Sequence, residues 1–319
     1  MGERRMSLEA FVASLLHDAI RSGTPLLLGT LGEIYAERSG VLNLGVEGMM
    51  IMGAVTGFGV TLATGNVWLG ILAGALVGGL SAMIHAFLSI TLRANQVVSG
   101  LALTMFGLGM SGLIGGLFVG LPLLCPLRPI SIPALGNIPI LGPFLFEHDL
   151  LVYLSIALVP LLWFILFKTR VGINIRSVGE SPATADALGV NVFRVRYLCV
   201  FLGGLLAGLG GAYLSVAYRP AWTEGMTAGI GWIVIALTIF AMWSPSRALI
   251  GSYLFGGVEA LQYRLQPPPP HGLGISPNLL AMLPYALAVI VLLAGTRETI
   301  RKRMGAPSAL GTPYVRGEK

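Results

Sequence analysis

The sequence predicts an all-α, polytopic membrane bundle of about eight to ten transmembrane helices joined by one short cytoplasmic helix, and three observations predict it. Of the 319 residues, 55% are hydrophobic and 11% charged, and the mean hydropathy is +0.82, well outside the range of soluble domains. Mostly apolar runs long enough for a hydrocarbon core of ~30 Å recur along nearly the whole chain. Lys and Arg gather at one set of the boundaries between them, as they do in cytoplasmic loops.

In chain order the runs cover residues 41–63, 67–91, 97–119, 149–167, 196–217, 228–243, 247–263 and 279–295, and 24–36 is a further candidate. Residues 1–23 carry Arg4 and Arg5, then His17, Asp18 and Arg21, which interrupt the apolar run that a cleaved secretory signal requires. They are expected to form an amphipathic lead-in, followed by a membrane domain over 24–296 with a cytoplasmic loop at 168–196, and a cytoplasmic tail at 297–319. Lys168, Arg170, Arg176, Arg194 and Arg196 crowd that loop, and Arg297, Arg301, Lys302 and Arg303 follow the last run. The segments 120–148, 218–227 and 264–278 hold only Arg128, Arg219 and Arg264, as the outer side should. Counting back, the 41–63 span starts in the cytoplasm. If the N-terminus is also cytoplasmic, 24–36 must turn back or lie in the interface, and parity alone leaves this open.

The net charge of +6 is therefore a topology signal, and no nucleic-acid partner is expected. Cys125 and Cys199 fall in an outer loop and inside a span, too far apart in topology for a disulfide, and the four histidines have no neighbouring metal ligand. No metal site is expected. Gly70, Gly74 and Gly78, then Gly112, Gly116 and Gly120, then Gly203, Ala207 and Gly211 recur every four residues, as helices that pack closely in a bilayer do. The string GLGMSG at 107–112 fits a dinucleotide fingerprint and a serine-protease string. It lies inside an apolar run, without the strand–turn–helix context the first needs or a following intramembrane histidine for the second.

Polar residues inside spans are costly and face a bundle interior or a watery cavity. Asn43 and Glu47 share one helix face at i, i+4; Asn95, Gln96, Ser99 and Thr104 begin another span; Glu224, Thr227, Trp232 and Thr238 mark a third. Amides, hydroxyls and an aromatic suit the wall of a path for an uncharged polar solute. Glu47 admits three readings: a structural residue between helices, a wall residue, or a proton-coupling carboxylate. The string EGM recurs at 47–49 and 224–226, as an inverted internal duplication would leave it. In the loop KTRVGINIRSVGESPATADALGVNVFRVRY at 168–197, Ser181 can cap a helix that begins at Pro182 and is stopped by Gly189. A short exposed helix tied to two spans is a docking element for a soluble partner.

VGESPATADALGVNV followed by GGLLAGLGGAYL resembles the coupling segment and next span of permease subunits in bacterial ATP-binding-cassette (ABC) importers. The similar branch serves branched-chain amino acids, simple sugars and nucleosides. GEIYAERSGVLNLGVEGMMIMGA (32–54), ANQVVSGLALTMFGLGMSG (94–112), EGMTAGIGWIVIALTIFAMWSP (224–245) and LPYALAVIVLL (283–293) agree with it in the same order, so the resemblance covers about 24–296. The ERSGVLNLGVEGMM and EGMTAGIGW strings look most like the shorter permease of nucleoside, or simple-sugar, importers. SPSRAL (244–249) and QPPPPHG (266–272) depart from the pattern in loops.

The resemblance implies an inner-membrane subunit that pairs with a second permease and two ATP-binding subunits, and receives nucleosides first, or simple sugars, from an extracytoplasmic binding protein. None of the three lysines follows a glycine, so the chain lacks a phosphate-cradling Gly-Lys-Ser/Thr loop; ATP and Mg are expected on the partner, and no cofactor on this chain. The ATPase is expected to press on 177–192, with Gly179 and Gly189 setting entry and exit around Pro182, and Glu180 and Asp186 pairing with its basic groups. A free-standing secondary transporter or channel shares the composition but leaves the docking helix without a use, and an intramembrane protease lacks a placed base.

Overall fold

The computed structural model describes residues 8–131, 144, 146–266, 274–295 and 305–316. The expectations resting on Arg4 and Arg5, on the basic cluster 297–303 and on most of the QPPPPHG loop lie outside the described residues.

Helix α1 (Leu8–Arg38) is continuous through Pro25 and across the 23/24 boundary drawn from composition. Its charged residues are tied to neighbours rather than offered to lipid: Asp18 pairs with Arg264 at 2.5 Å and Arg21 donates to the Ala217 carbonyl at 3.3 Å. Near its start His17 stacks on His148 of the outer loop, 4.5 Å between ring centroids. At its other end Arg38 lies against Gly179 of the cytoplasmic loop. Helix α1 therefore runs unbroken from the His148 end to the Gly179 end, without the turn-back considered for 24–36.

Five helical stretches among the described residues are long and apolar enough to cross a membrane. They are α2 (Val46–Thr64), α3 (Val67–Ala86, continued by a π-turn to Thr91), α4 (Gln96–Gly115, ending in a 3₁₀ turn), α5 (Leu150–Lys168) and α8 (Val192–Tyr213, continued by a π-turn to Tyr218). Between α5 and α8 stand α6 (Arg170–Glu180) and α7 (Pro182–Ala187). The apolar runs at 228–243, 247–263 and 279–295 become α9 (Ile230–Phe240), α10 (Pro245–Leu265), and a single turn α11 (Pro277–Ala281) followed by α12 (Leu283–Gly295). Helix α9 is only 11 residues long, because residues 219–229 run as turns in which Gly225, Ala228 and Gly229 take positive φ. Two-residue strands β1 (Ile130–Ser131) and β2 (Glu147–His148) pair antiparallel in the outer loop, Ile130 opposite His148.

Helices α1, α2 and α8 form the buried centre, with α3, α9 and α10 around them. Two of the three small-residue stripes do bring backbones together. A Cβ on Gly74 would lie 2.6 Å from the Gly53 carbonyl, one on Gly208 2.5 Å from that of Gly74, and one on Gly211 would overlap the Met50 carbonyl. The third stripe behaves differently: a Cβ on Gly112 would meet only Glu224 Oε1, at 3.3 Å, and one on Gly116 or Gly120 nothing within 4 Å. The open part of that stripe lies in the turn after α4. The two EGM strings also differ, since Glu47 and Gly48 sit in the first turn of α2 whereas Gly225 is a turn residue at φ +64°.

Candidate translocation wall and coupling surface

After Arg38 the chain turns, and residues 41–43 are non-helical before α2 begins at Val46. Non-helical backbone among membrane helices needs partners from the protein itself. Gln96 Oε1 accepts from the Leu42 N–H at 2.7 Å, His85 Nε2 bonds the Leu42 carbonyl at 3.0 Å, and Thr104 donates to the Leu44 carbonyl at 3.0 Å. Asn43 Oδ1 accepts from the Gly45 N–H at 3.1 Å while its amide donates to Glu33 Oε2 at 3.0 Å. With Nε2 donating to Leu42, His85 Nδ1 is left to accept from Ser99, 2.9 Å away. Asn43, Gln96, Ser99 and Thr104 are all buried. The structure brings these four predicted residues together around one bend of the chain. Asn95 stands apart, exposed, and caps α4 by accepting from the Val97 and Val98 N–H groups at 2.9 and 3.1 Å.

Glu47 joins the α2 start to the α9 start. Its Oε1 accepts from the Thr227 hydroxyl at 2.5 Å and the Gly229 N–H at 3.0 Å, and its Oε2 from the Gly231 N–H at 2.6 Å. The first N–H groups of a helix have no partner within the helix, and a carboxylate suits the positive end of its dipole; Glu47 supplies both from another helix. Gly231 is what allows the approach, since a Cβ there would stand 2.5 Å from the Glu47 Cα. Thr227 is thus gathered to Glu47, whereas Glu224 is exposed beside Gly112 of α4 and Trp232 is 40% exposed on the outer face of α9.

Two buried carboxylates were missed from the sequence. Glu33 and Glu37 lie one turn apart on α1, each 1% exposed; Glu33 holds Asn43, and Glu37 accepts from the Trp243 indole N–H. The available signal was their position, four residues apart and continuous with Asn43 and Glu47 in an apolar stretch. A cavity of about 170 Å³ beside Thr227 is lined by Arg219, Glu259, Gln262, Tyr263 and Tyr285 among others, with Arg219 and Glu259 paired at 3.3 Å.

On the cytoplasmic side, Thr169 caps α6 through the Gly172 N–H at 3.2 Å. Ser181 then caps α7 through the Thr184 N–H at 3.4 Å with Pro182 in its first turn, and Gly189 leaves it at φ +85°. The predicted helix is present. Gly179 is a close-approach position, because a Cβ would overlap the Arg38 carbonyl. Glu180 and Asp186, expected to pair with basic groups on the ATPase, also contact this chain's own tail: Ser308 donates to Glu180 at 2.8 Å and Arg316 to Asp186 at 3.0 Å. What α7 leaves exposed is Ala183, Thr184, Ala187 and Leu188, the last at 79%.

Residues 15–292 match the family of branched-chain amino acid transport system permease components. The chain belongs to that family. The permease is 42% identical to a protein named as a glucose ABC transporter permease, TsgC13, of Haloferax volcanii, covering 96% of this chain and 99% of the relative. It is 38% identical to the guanosine ABC transporter permease NupQ of Bacillus subtilis (92% and 94% covered) and 35% identical to the nucleoside ABC transporter permease NupC of Lactococcus lactis (98% of each). A solved structure described as an inward-facing metal-chelate type ABC transporter shares the fold, with a TM-score of 0.50 at 15% identity over 88% of this chain and 85% of that one. The permease is accordingly a multi-pass membrane subunit of an ABC importer, a class that works with ATP-binding and substrate-binding partners.

Proposed function

We propose that this permease carries nucleosides, or in second place simple sugars, across a bacterial inner membrane as one half of a permease heterodimer. Separate ATP-binding subunits hold ATP and Mg and perform the hydrolysis, and an extracytoplasmic binding protein delivers the solute. The observation that carries the reading is the projecting α7, whose exposed Ala183, Ala187 and Leu188 have no use in a free-standing carrier and suit a groove on an ATPase. Nucleosides rank first because two of the relatives above are named for guanosine and nucleosides; the glucose name keeps sugars second. A proton-coupled carrier needs a carboxylate free to exchange its proton with the path, and both oxygens of Glu47 are engaged by protein donors.

Among the predicted wall residues, Asn95, Glu224 and Trp232 are the ones exposed to a passing solute or a second permease, while Asn43, Glu47, Gln96, Ser99, Thr104 and Thr227 hold the wall in place from behind. The test is ligand identification on the cognate binding protein, followed by radiolabelled uptake in a strain lacking this chain. Nucleoside binding with ATP-dependent uptake restored by the chain supports the proposal. Proton-driven uptake by the purified chain alone overturns it.

A further inference from the structure

The tail residues Gly305–Arg316 cross the cytoplasmic face of the bundle and touch each element that positions α7. The Gly305 carbonyl accepts from Arg38 at 3.2 Å. Ala309 N–H donates to the Gly179 carbonyl at 2.9 Å and Gly311 N–H to that of Gly40 at 3.3 Å. The Thr312 carbonyl accepts from Arg196 at 3.2 Å, and the same buried guanidinium donates to Ser39 at 3.2 Å. Tyr314 is 9% exposed and closes a small apolar cluster with Val178, Ala185 and Val192, its ring 5.9 Å from that of Phe193. Pro307 is buried, with its Cβ 3.2 Å from where a Cβ on Gly179 would stand.

A six-residue helix is too short to hold its own shape, and its order comes from what packs on it. Of α7 only Ala185 is buried, and the tail supplies much of what covers it. We propose that residues 305–316 are a built-in strap and a permanent part of the ATPase-facing surface. The strap ties α7 to the ends of α1 and α8, so that the three move together. It also pairs Asp186 with Arg316 and gives Glu180 a hydrogen bond from Ser308, and beside them it leaves Ala183, Ala187 and Leu188 exposed, an apolar strip that fits an apolar groove on the ATPase. This rests on the reading of α7 as the ATPase contact.

The test uses the assembled transporter in proteoliposomes, with ATP hydrolysis measured with and without the solute-loaded binding protein. Truncation after residue 304, and separately Tyr314→Ala, should leave the ATPase copurifying but lower stimulated hydrolysis at least about fivefold, the scale of an ordinary coupling free energy. Undiminished stimulation in both overturns the strap. A second arm replaces Glu180 and Ser308 by cysteine, in a background without Cys125 and Cys199, and bridges them with a short bis-thiol linker. A permanent strap predicts that bridging preserves stimulation; loss on bridging, reversed by reduction, means the tail must leave to admit the ATPase and overturns the proposal. Leu188→Asp separates the two readings: if it retains ATPase and stimulation, the assignment of α7 itself fails, whereas loss here with normal strap variants sinks the strap alone.

Discussion

Replacing Glu47 should expose how much of the bundle depends on one carboxylate. In Glu47→Ala the Gly229 and Gly231 N–H groups lose the acceptors now at 3.0 and 2.6 Å, and the Thr227 hydroxyl loses its own. An orphaned buried donor costs ~1–3 kcal/mol, so the two N–H groups alone put the alanine variant at ~2–6 kcal/mol before any cavity term. Glu47→Gln keeps the shape but offers one oxygen where two are used. Whichever way the amide is turned, its NH₂ faces either Gly229 or Gly231, and one backbone donor is lost, for ~1–3 kcal/mol. Thr227 can rotate and survive either choice. The expected order is wild type, then Gln, then Ala, read as the thermal midpoint of detergent-purified protein by fluorescence size exclusion. Equal loss in Gln and Ala, or an alanine variant as stable as wild type, would refute the capping account.

Gly211→Ala should abolish assembly, since the added methyl overlaps the Met50 carbonyl, while Gly109→Ala, with nothing within 4 Å, should be neutral or stabilise by up to ~1 kcal/mol; membrane levels and thermal midpoints check both. His148 is held neutral, its pKa pushed down to about 4 by burial and by the neighbouring His17 and Arg21 charges, against the opposing bond to the Phe144 carbonyl. The unfolded ring titrates near 6.5. Its contribution is therefore full above pH 6.5, is lost as pH falls from there towards 4, and His148→Gln should flatten that part of the stability–pH curve. Trp243→Phe leaves the buried Glu37 without its indole donor; it should cost ~1–3 kcal/mol, and Glu37→Met in the same chain should recover part of that loss.

The helical class, the short helix with its Ser181 cap, Pro182 start and Gly189 stop, and the burial of Asn43 and Glu47 were legible because each follows from local chemistry. A hydroxyl before a proline caps a helix wherever it stands, and a carboxylate inside an apolar run must find donors. Which donors was not legible. Asn43, Gln96 and Thr104 look like wall material because they are polar and intramembrane, yet they serve the backbone of residues 42–45, and nothing in a sequence says that a predicted span starts five residues late. The contacts of Glu180 and Asp186 within the chain were not legible for a related reason: Ser308 and Arg316 lie more than a hundred residues away, beyond the reach of any periodicity. The continuity of α1 was hidden by Asp18 and Arg21, whose partners are Arg264 and the Ala217 carbonyl.

Helix α9 is held at both ends by carboxylates from the two helices beside it. At its start Glu47 of α2 takes the Gly229 and Gly231 N–H groups. Just past its end Glu37 of α1 takes the Trp243 indole, and Arg38 donates to the Trp243 carbonyl at 3.3 Å and to that of Gly305 at 3.2 Å. Gly179 packs on the Arg38 carbonyl itself. The proposed coupling surface is thus one residue removed from the latch on α9, and α9 carries the exposed Trp232. Discontinuous helices that end in the bundle interior are where membrane transporters place their working parts. Linked at its end to Glu37 and Arg38, α9 cannot tilt independently of α1 without breaking a buried hydrogen bond, so a displacement of the α1 terminus by α6 and the strap must either carry α9 along or cost those bonds. Trp243→Phe separates the alternatives, because it cuts the link at Glu37 while leaving the coupling surface and the Glu47 cap intact.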